Sequence, residues 1–124
     1  MLRKLKFLLP ALAGVVFSGN VLASGLTCSG QVQTIAYHTG MGYMLKLTSM
    51  NTPVFFCDPD GTFTTSGTSN SVGPETCKTL VSTFISAKAM ETNLNQVVFD
   101  GSNVPADCTS WAGWSYAVIR YIEM

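Results

Sequence analysis

The stretch GPETCKTLVSTFISAKAM, residues 73–90, decides the fold, because it is the only clearly helical pattern after residue 23. Pro74 suits the first helical position, where its missing N–H is not needed, and Gly73 can cap the helix before it. Apolar residues then recur at the spacing of a single helix face. That face consists of Cys77, Leu80, Val81 and Phe84, with Ile85 broadening it. The sequence therefore predicts one helix, buried along one side, with Cys77 pointing inward.

Five strand-like segments accompany the helix. Residues 31–38, 43–49 and 54–57 precede it, and residues 96–100 and 114–122 follow it. Three strands, a helix and two strands is the order of an OB-like fold. We therefore predict a mainly β (α+β) domain: an OB-like five-stranded antiparallel barrel with the helix between strands three and four. An open antiparallel sheet with the helix on one face is the alternative.

The beginning of the chain has the pattern of a secretory signal peptide. Three basic residues precede an apolar run over residues 7–17, which is too short to span a bilayer of roughly 30 Å. We expect cleavage after Ala23, so that residues 1–23 are the signal peptide and residues 24–124 form a single OB-like domain. The protein is then secreted or periplasmic, without membrane insertion after cleavage.

Charge excludes some classes of partner. After residue 23 the chain has four basic residues and seven carboxylates, a formal net charge of −3. A faintly acidic surface without a basic patch cannot neutralise phosphate groups. We therefore expect neither a nucleic acid nor an anionic membrane surface as partner.

The four cysteines are typical of an exported, disulfide-bonded domain. They allow three connectivities, and they are too far apart for a metal site, so we expect no metal. We prefer Cys57–Cys77, which would join a strand end to the helix start, and Cys28–Cys108, which would join the first strand to a late loop.

Catalytic groups are sparse. Asp58 and Asp60 are the closest carboxylate pair, and they fit a glycosidic or calcium site less well than a turn in which they cap backbone N–H groups. His38 is the only histidine and has no local nucleophile or orienting carboxylate. We expect no enzyme and no cofactor, with a small hydrolase using a carboxylate pair as one alternative.

Two segments are candidates for recognition. Trp111, Trp114 and Tyr116 form a concentrated aromatic group, with Asp107 nearby to bind hydroxyls, and aromatic faces suit sugar rings. The other interpretation is that the tryptophans fill the end of the barrel and shelter a disulfide. The polar loop over residues 58–72 is long for an idle connection, although it also fits an exposed linker.

The framework CSGQV at residues 28–32, FC at 56–57, GPETCK at 73–78, VVFD at 97–100, Cys108 and Trp111 resembles small exported bacterial proteins of unknown role. The order of elements also resembles the binding subunits of A-plus-five-B toxins of the subtilase cytotoxin type. That likeness implies an OB fold, a pentameric ring and glycan binding. It rests on element order, so no site residue is carried over.

Together these patterns predict an exported binding or interaction module that recognises a carbohydrate or a protein. A homo-oligomer is expected as well, because a partly open barrel leaves unpaired strand edges. The alternative from another class is a periplasmic inhibitor or structural accessory protein without a small-molecule site.

Overall fold

A computed structural model describes Gly14 and residues 25–124 of the chain. Apart from Gly14, the predicted signal peptide lies outside the described residues. The described elements, in chain order, are β1 (Leu26–Gly30), β2 (Val32–His38), β3 (Gly42–Leu47), β4 (Val54–Cys57), α1 (Pro74–Ala89), β5 (Leu94–Asp100) and β6 (Val118–Glu123).

The strands form two three-stranded antiparallel sheets, in the orders β1-β5-β6 and β2-β3-β4. The core lies between the sheets and the helix, and β4 is buried along its whole length. The largest fully buried side chains are Phe55, Phe56, Phe84, Phe99, Leu45, Leu47 and Leu94.

The prediction of a mainly β protein with one helix is confirmed, but the five-stranded OB barrel is wrong. The pairing that would close a barrel is interrupted between β4 and the segment leading into β6. There the chain makes one isolated parallel bridge, Phe55 with Tyr116, and no continuous ladder. A single bridge does not join two sheets into a closed wall, so the molecule has two separate sheets.

The break between β1 and β2 also separates the sheets. β1 was not among the strands predicted from the sequence. Gly30 has φ +119°, a conformation that favours glycine, and a Cβ there would lie 2.2 Å from Oγ1 of Thr48. The chain leaves one sheet at Gly30 and enters the other at Val32. A residue with a side chain would not allow this close passage.

The helix begins and ends where its local signals predict. Pro74 is at its start, and the Cys77 N–H donates to the Gly73 carbonyl at 2.9 Å. The buried face is Cys77, Val81, Phe84 and Ala87. Ile85 is 54% exposed, so the predicted broadening of the apolar face is wrong. The helix packs against β2 and against Phe56.

Two disulfides are present, Cys28–Cys108 and Cys57–Cys77, and they are the two pairs preferred from the sequence. The first joins β1 to the loop before β6, and the second joins the end of β4 to the first turn of α1. Both fit an oxidising, extracellular environment. The second bond joins residues on either side of the loop over residues 58–72 and therefore restrains both of its ends.

That loop is packed along the molecule. Phe63 and Val72 exchange two backbone hydrogen bonds of 2.8 and 3.0 Å. Further on, Ser102 donates its N–H to the Ser66 carbonyl at 2.8 Å, and Asn70 Nδ2 donates to the buried Asp100 at 2.9 Å. The loop is therefore a constrained surface. Within the described part of the chain, no helix is both long and apolar enough to cross a membrane.

Candidate functional site

Four aromatic rings form a connected stack on one side of the molecule, which we call the aromatic row: Trp114, Phe55, Tyr116 and Phe63. The centroid of Phe55 is 5.9 Å from that of Trp114 and 5.0 Å from that of Tyr116, with interplanar angles of 27° and 20°. Tyr116 continues the row to Phe63 at 6.0 Å and 24°. Offset stacking at these distances is favourable beyond the area that it buries.

The backbone bridge at Phe55 holds the row together. The Phe55 N–H donates to the Ser115 carbonyl at 2.9 Å, and the Ala117 N–H donates to the Phe55 carbonyl at 3.0 Å. Trp114 and Tyr116 both stack on the ring of Phe55, so they flank the bridge together. The fully buried Phe55 is the floor of this surface.

Trp114 is the exposed end of the row. Its backbone has φ +61°, a left-handed conformation that is rare for a bulky residue. Its side chain is 59% exposed, although Phe55 stacks against one face of the indole. More than half of the residue is therefore accessible to solvent, and we call its accessible indole surface the open face. A strained backbone that presents a large aromatic ring to water is the kind of feature found at ligand sites.

His38, at the end of β2, lies beside this open ring. Its imidazole meets the Trp114 indole edge to face, with centroids 5.5 Å apart and planes at 86°. Nδ1 lies 3.0 Å from the Thr39 carbonyl oxygen, which can only accept a hydrogen bond. Nδ1 therefore carries the proton, and Nε2 is left to face solvent or a ligand.

Asp58 and Asp60 lie at the same end of the sheet as His38. His38 pairs with Gly42, and a Cβ on Gly42 would lie 3.4 Å from the Cα of Asp58. Asp58 Oδ1 accepts the Asp60 N–H at 2.9 Å, the turn geometry expected from the sequence. Among the described residues, no group of three His, Cys, Asp or Glu side chains is arranged to hold a metal.

The structure separates Trp111 from Trp114. Trp111 is 3% exposed and packs edge to face on Phe99 at 5.2 Å, while Asn51 bonds to both its N–H and its carbonyl. Trp111 Nε1 has no hydrogen-bond partner within the described residues. Trp111 therefore belongs to the core, as the alternative interpretation of the tryptophans had it.

Asp107 organises its own loop. Its Oδ1 accepts hydrogen bonds from the Thr109 side chain at 2.7 Å, the Ser110 hydroxyl at 2.8 Å and the Thr109 N–H at 3.0 Å. The Thr109 and Ser110 hydroxyls, with that N–H, lower the pKa of the Asp107 carboxyl. Oδ1 is thus occupied by the turn.

Sequence reasoning missed Phe55 and Phe63 and set His38 aside. Phe55 stands in a short buried strand, and no local pattern shows that it will contact residues 114–116. His38 could have been noticed only by its place next to a glycine turn, which carries little information. The site depends on long-range contacts.

A second concavity lies elsewhere. A groove of about 550 Å³ runs between the last turns of α1 and the end of the chain. It is lined by Ser82, Thr83, Ser86, Ala87, Met90, Thr92 and Met124. It shares no residue with the aromatic row.

Comparisons of the chain with protein-family models, with curated proteins and with solved structures find no match. The resemblances noted from the sequence therefore stay predictions.

Proposed function

We propose that the protein is an exported carbohydrate-binding module and that the open face of Trp114 receives a sugar ring. Two properties of Trp114 carry the proposal. The residue is 59% exposed, and its backbone is left-handed while its indole stacks on the buried ring of Phe55. Sugar rings have apolar C–H faces that stack on such indoles.

The surroundings support the same interpretation. A small-molecule site combines apolar surface with a few polar groups that fix orientation. Here Trp114 offers the apolar surface, and His38 offers Nε2 beside it. The two disulfides agree with an exported protein, which encounters extracellular or cell-surface glycans.

The test is binding of the purified, oxidised protein to an array of immobilised oligosaccharides. A single stacked ring gives weak affinity, so the protein is displayed at high density to gain avidity. We expect binding that Trp114→Ala abolishes. Ile85→Ala is the matched control, because Ile85 is also a large exposed apolar side chain, 54% accessible, but lies on α1 outside the row. Absence of binding to every glycan would remove the proposal.

We propose separately that copies of the chain associate. β6 is an edge strand in the described sheet, and Tyr121 on it is exposed. Met90 and Met124, 76% and 64% exposed, line the groove beside the end of the same strand. Unpaired edges with apolar neighbours favour pairing with another chain. Size-exclusion chromatography with light scattering tests this, and a clean monomer at high concentration would rule it out.

A further inference from the structure

The positive charges of the described chain bond to residues outside the aromatic row. Lys46 bonds to the Gln33 side chain, and Lys88 Nζ donates to the Gln33 carbonyl at 3.0 Å. The other two cations pair with carboxylates, Lys78 with Glu75 at 3.1 Å and Arg120 with Asp100 at 3.2 Å. Each of the four described Lys and Arg side chains therefore has its partner elsewhere.

Two carboxylates lie at the end of the sheet that carries His38, the neighbour of Trp114. Asp58 follows β4 directly and backs onto Gly42, the residue paired with His38. Asp60 is in the same turn and is exposed. A ligand carboxylate at this surface would meet carboxylates of like charge without a cation to compensate them. The field at the site disfavours anions.

The tautomer of His38 points the same way. Since Nδ1–H is bonded to the Thr39 carbonyl, Nε2 has the lone pair in this tautomer. It accepts a hydrogen bond, and a sugar hydroxyl can donate one. A carboxylate has no proton to donate, so it would leave Nε2 without a partner.

We infer that the ligand of this surface is an uncharged sugar, which stacks its C–H face on Trp114 and donates a hydroxyl hydrogen bond to His38 Nε2. This inference rests on the proposed carbohydrate-binding function and names the ligand class within it. Acidic sugars, such as uronates and sialylated termini, are discriminated against by Asp58 and Asp60.

The test uses matched probes that differ in one group. Immobilised oligosaccharides ending in glucose or galactose are compared with those ending in the corresponding uronate and in its methyl ester. We expect the neutral sugar and the ester to bind about tenfold more tightly than the uronate. About 1 M salt should narrow that difference, because it screens exposed charges.

Variants identify the groups responsible. Asp58→Asn with Asp60→Asn keeps the turn-forming side chains and should raise uronate binding towards that of the ester. His38→Phe keeps a ring beside Trp114 but removes the acceptor, and it should weaken binding of the neutral sugar several-fold. Ile85→Ala should change neither.

The outcomes are distinct. Suppose that uronates bind as tightly as neutral sugars and that Trp114→Ala abolishes the binding of both. This result would overturn the inference and leave the proposed function standing. Binding by no sugar of either kind would remove the proposed function and the inference with it. A third result would also contradict the inference. This is a preference for neutral sugars that stays unchanged in the Asp58→Asn, Asp60→Asn double variant and in the His38→Phe variant, because neither assigned group would then discriminate.

Discussion

The indole of Trp114 lies on the phenyl ring of Phe55, with centroids 5.9 Å apart and planes inclined by 27°. One ring is fully buried and the other is 59% exposed. The pair therefore connects the hydrophobic core directly to the proposed ligand surface. A substitution of Phe55 in the core should therefore alter how Trp114 is held at the surface, although Phe55 itself is inaccessible to any ligand.

Phe55→Leu should weaken sugar binding several-fold and lower the free energy of unfolding by about 1–2 kcal/mol, because the stacking on Trp114 and Tyr116 is lost. The matched control is Phe56→Leu. Phe56 is equally buried in the same strand but packs edge to face on Phe84 at 5.3 Å. Urea unfolding should give similar losses for the two variants, with binding impaired only in Phe55→Leu. Equal binding by both variants would show that the floor of the row is not needed.

The effect of backbone strain at Trp114 can be measured separately from the effect of its side chain. Trp114→Gly and Trp114→Ala both remove the indole, but only glycine tolerates φ +61° freely. We expect neither variant to bind sugar, and the glycine variant to be more stable than the alanine variant by roughly 1 kcal/mol. Thermal unfolding measures the difference. A more stable alanine variant would mean that the backbone is not strained there.

The end of α1 offers an independent test of backbone strain. The Thr92 N–H donates to the Ala87 carbonyl at 2.9 Å and the Glu91 N–H to the Lys88 carbonyl at 3.2 Å, which places Glu91, φ +52°, at the position where helices favour glycine. Glu91→Gly should raise the free energy of unfolding by roughly 1 kcal/mol. Glu91→Ala keeps the left-handed strain and should stay within about 0.5 kcal/mol of the parent. Chemical denaturation of the three proteins decides this.

The two disulfides should differ in their contribution to stability. Cys28–Cys108 closes a sequence separation of 80 residues and Cys57–Cys77 one of 20. Replacing both cysteines of a pair with alanine should cost about 4.5 kcal/mol for the first pair and about 3 kcal/mol for the second, on the chain-entropy model. Denaturant unfolding of the two double variants tests the ranking. A larger loss for the shorter loop would point to a local role of that bond in holding the loop over residues 58–72.

The features that could be predicted from the sequence are those with local causes. The helix start at Gly73 and Pro74 follows from capping chemistry, and the five strands after β1 follow from alternation and β-branched or aromatic content. β1 was missed because this strand, LTCSG, is only five residues long, is largely polar and lies directly before β2. The division into two sheets depends on Gly30 and on the single bridge at Phe55, and neither has a local signature.

The candidate site was predicted in part. Trp114 and Tyr116 were expected in one aromatic group, and both stack on Phe55. Trp111 could not be told apart from Trp114, since both lie in an irregular stretch without periodicity. Their burial differs because Asn51 and Phe99, distant in the chain, enclose only Trp111. His38 and Phe55 join the site through pairings across the sheets, which a reading of short windows does not reveal.

The central claim, that the open face of Trp114 binds a sugar, is tested most directly by the fluorescence of that one residue. Trp111→Phe makes Trp114 the sole tryptophan, and it forfeits no hydrogen bond of Nε1 within the described residues. Acrylamide quenching is measured while glucose- and galactose-terminated oligosaccharides are added. We expect these sugars to shift the emission to shorter wavelength and to protect Trp114 from the quencher. Emission and quenching that stay unchanged at saturating sugar would contradict it.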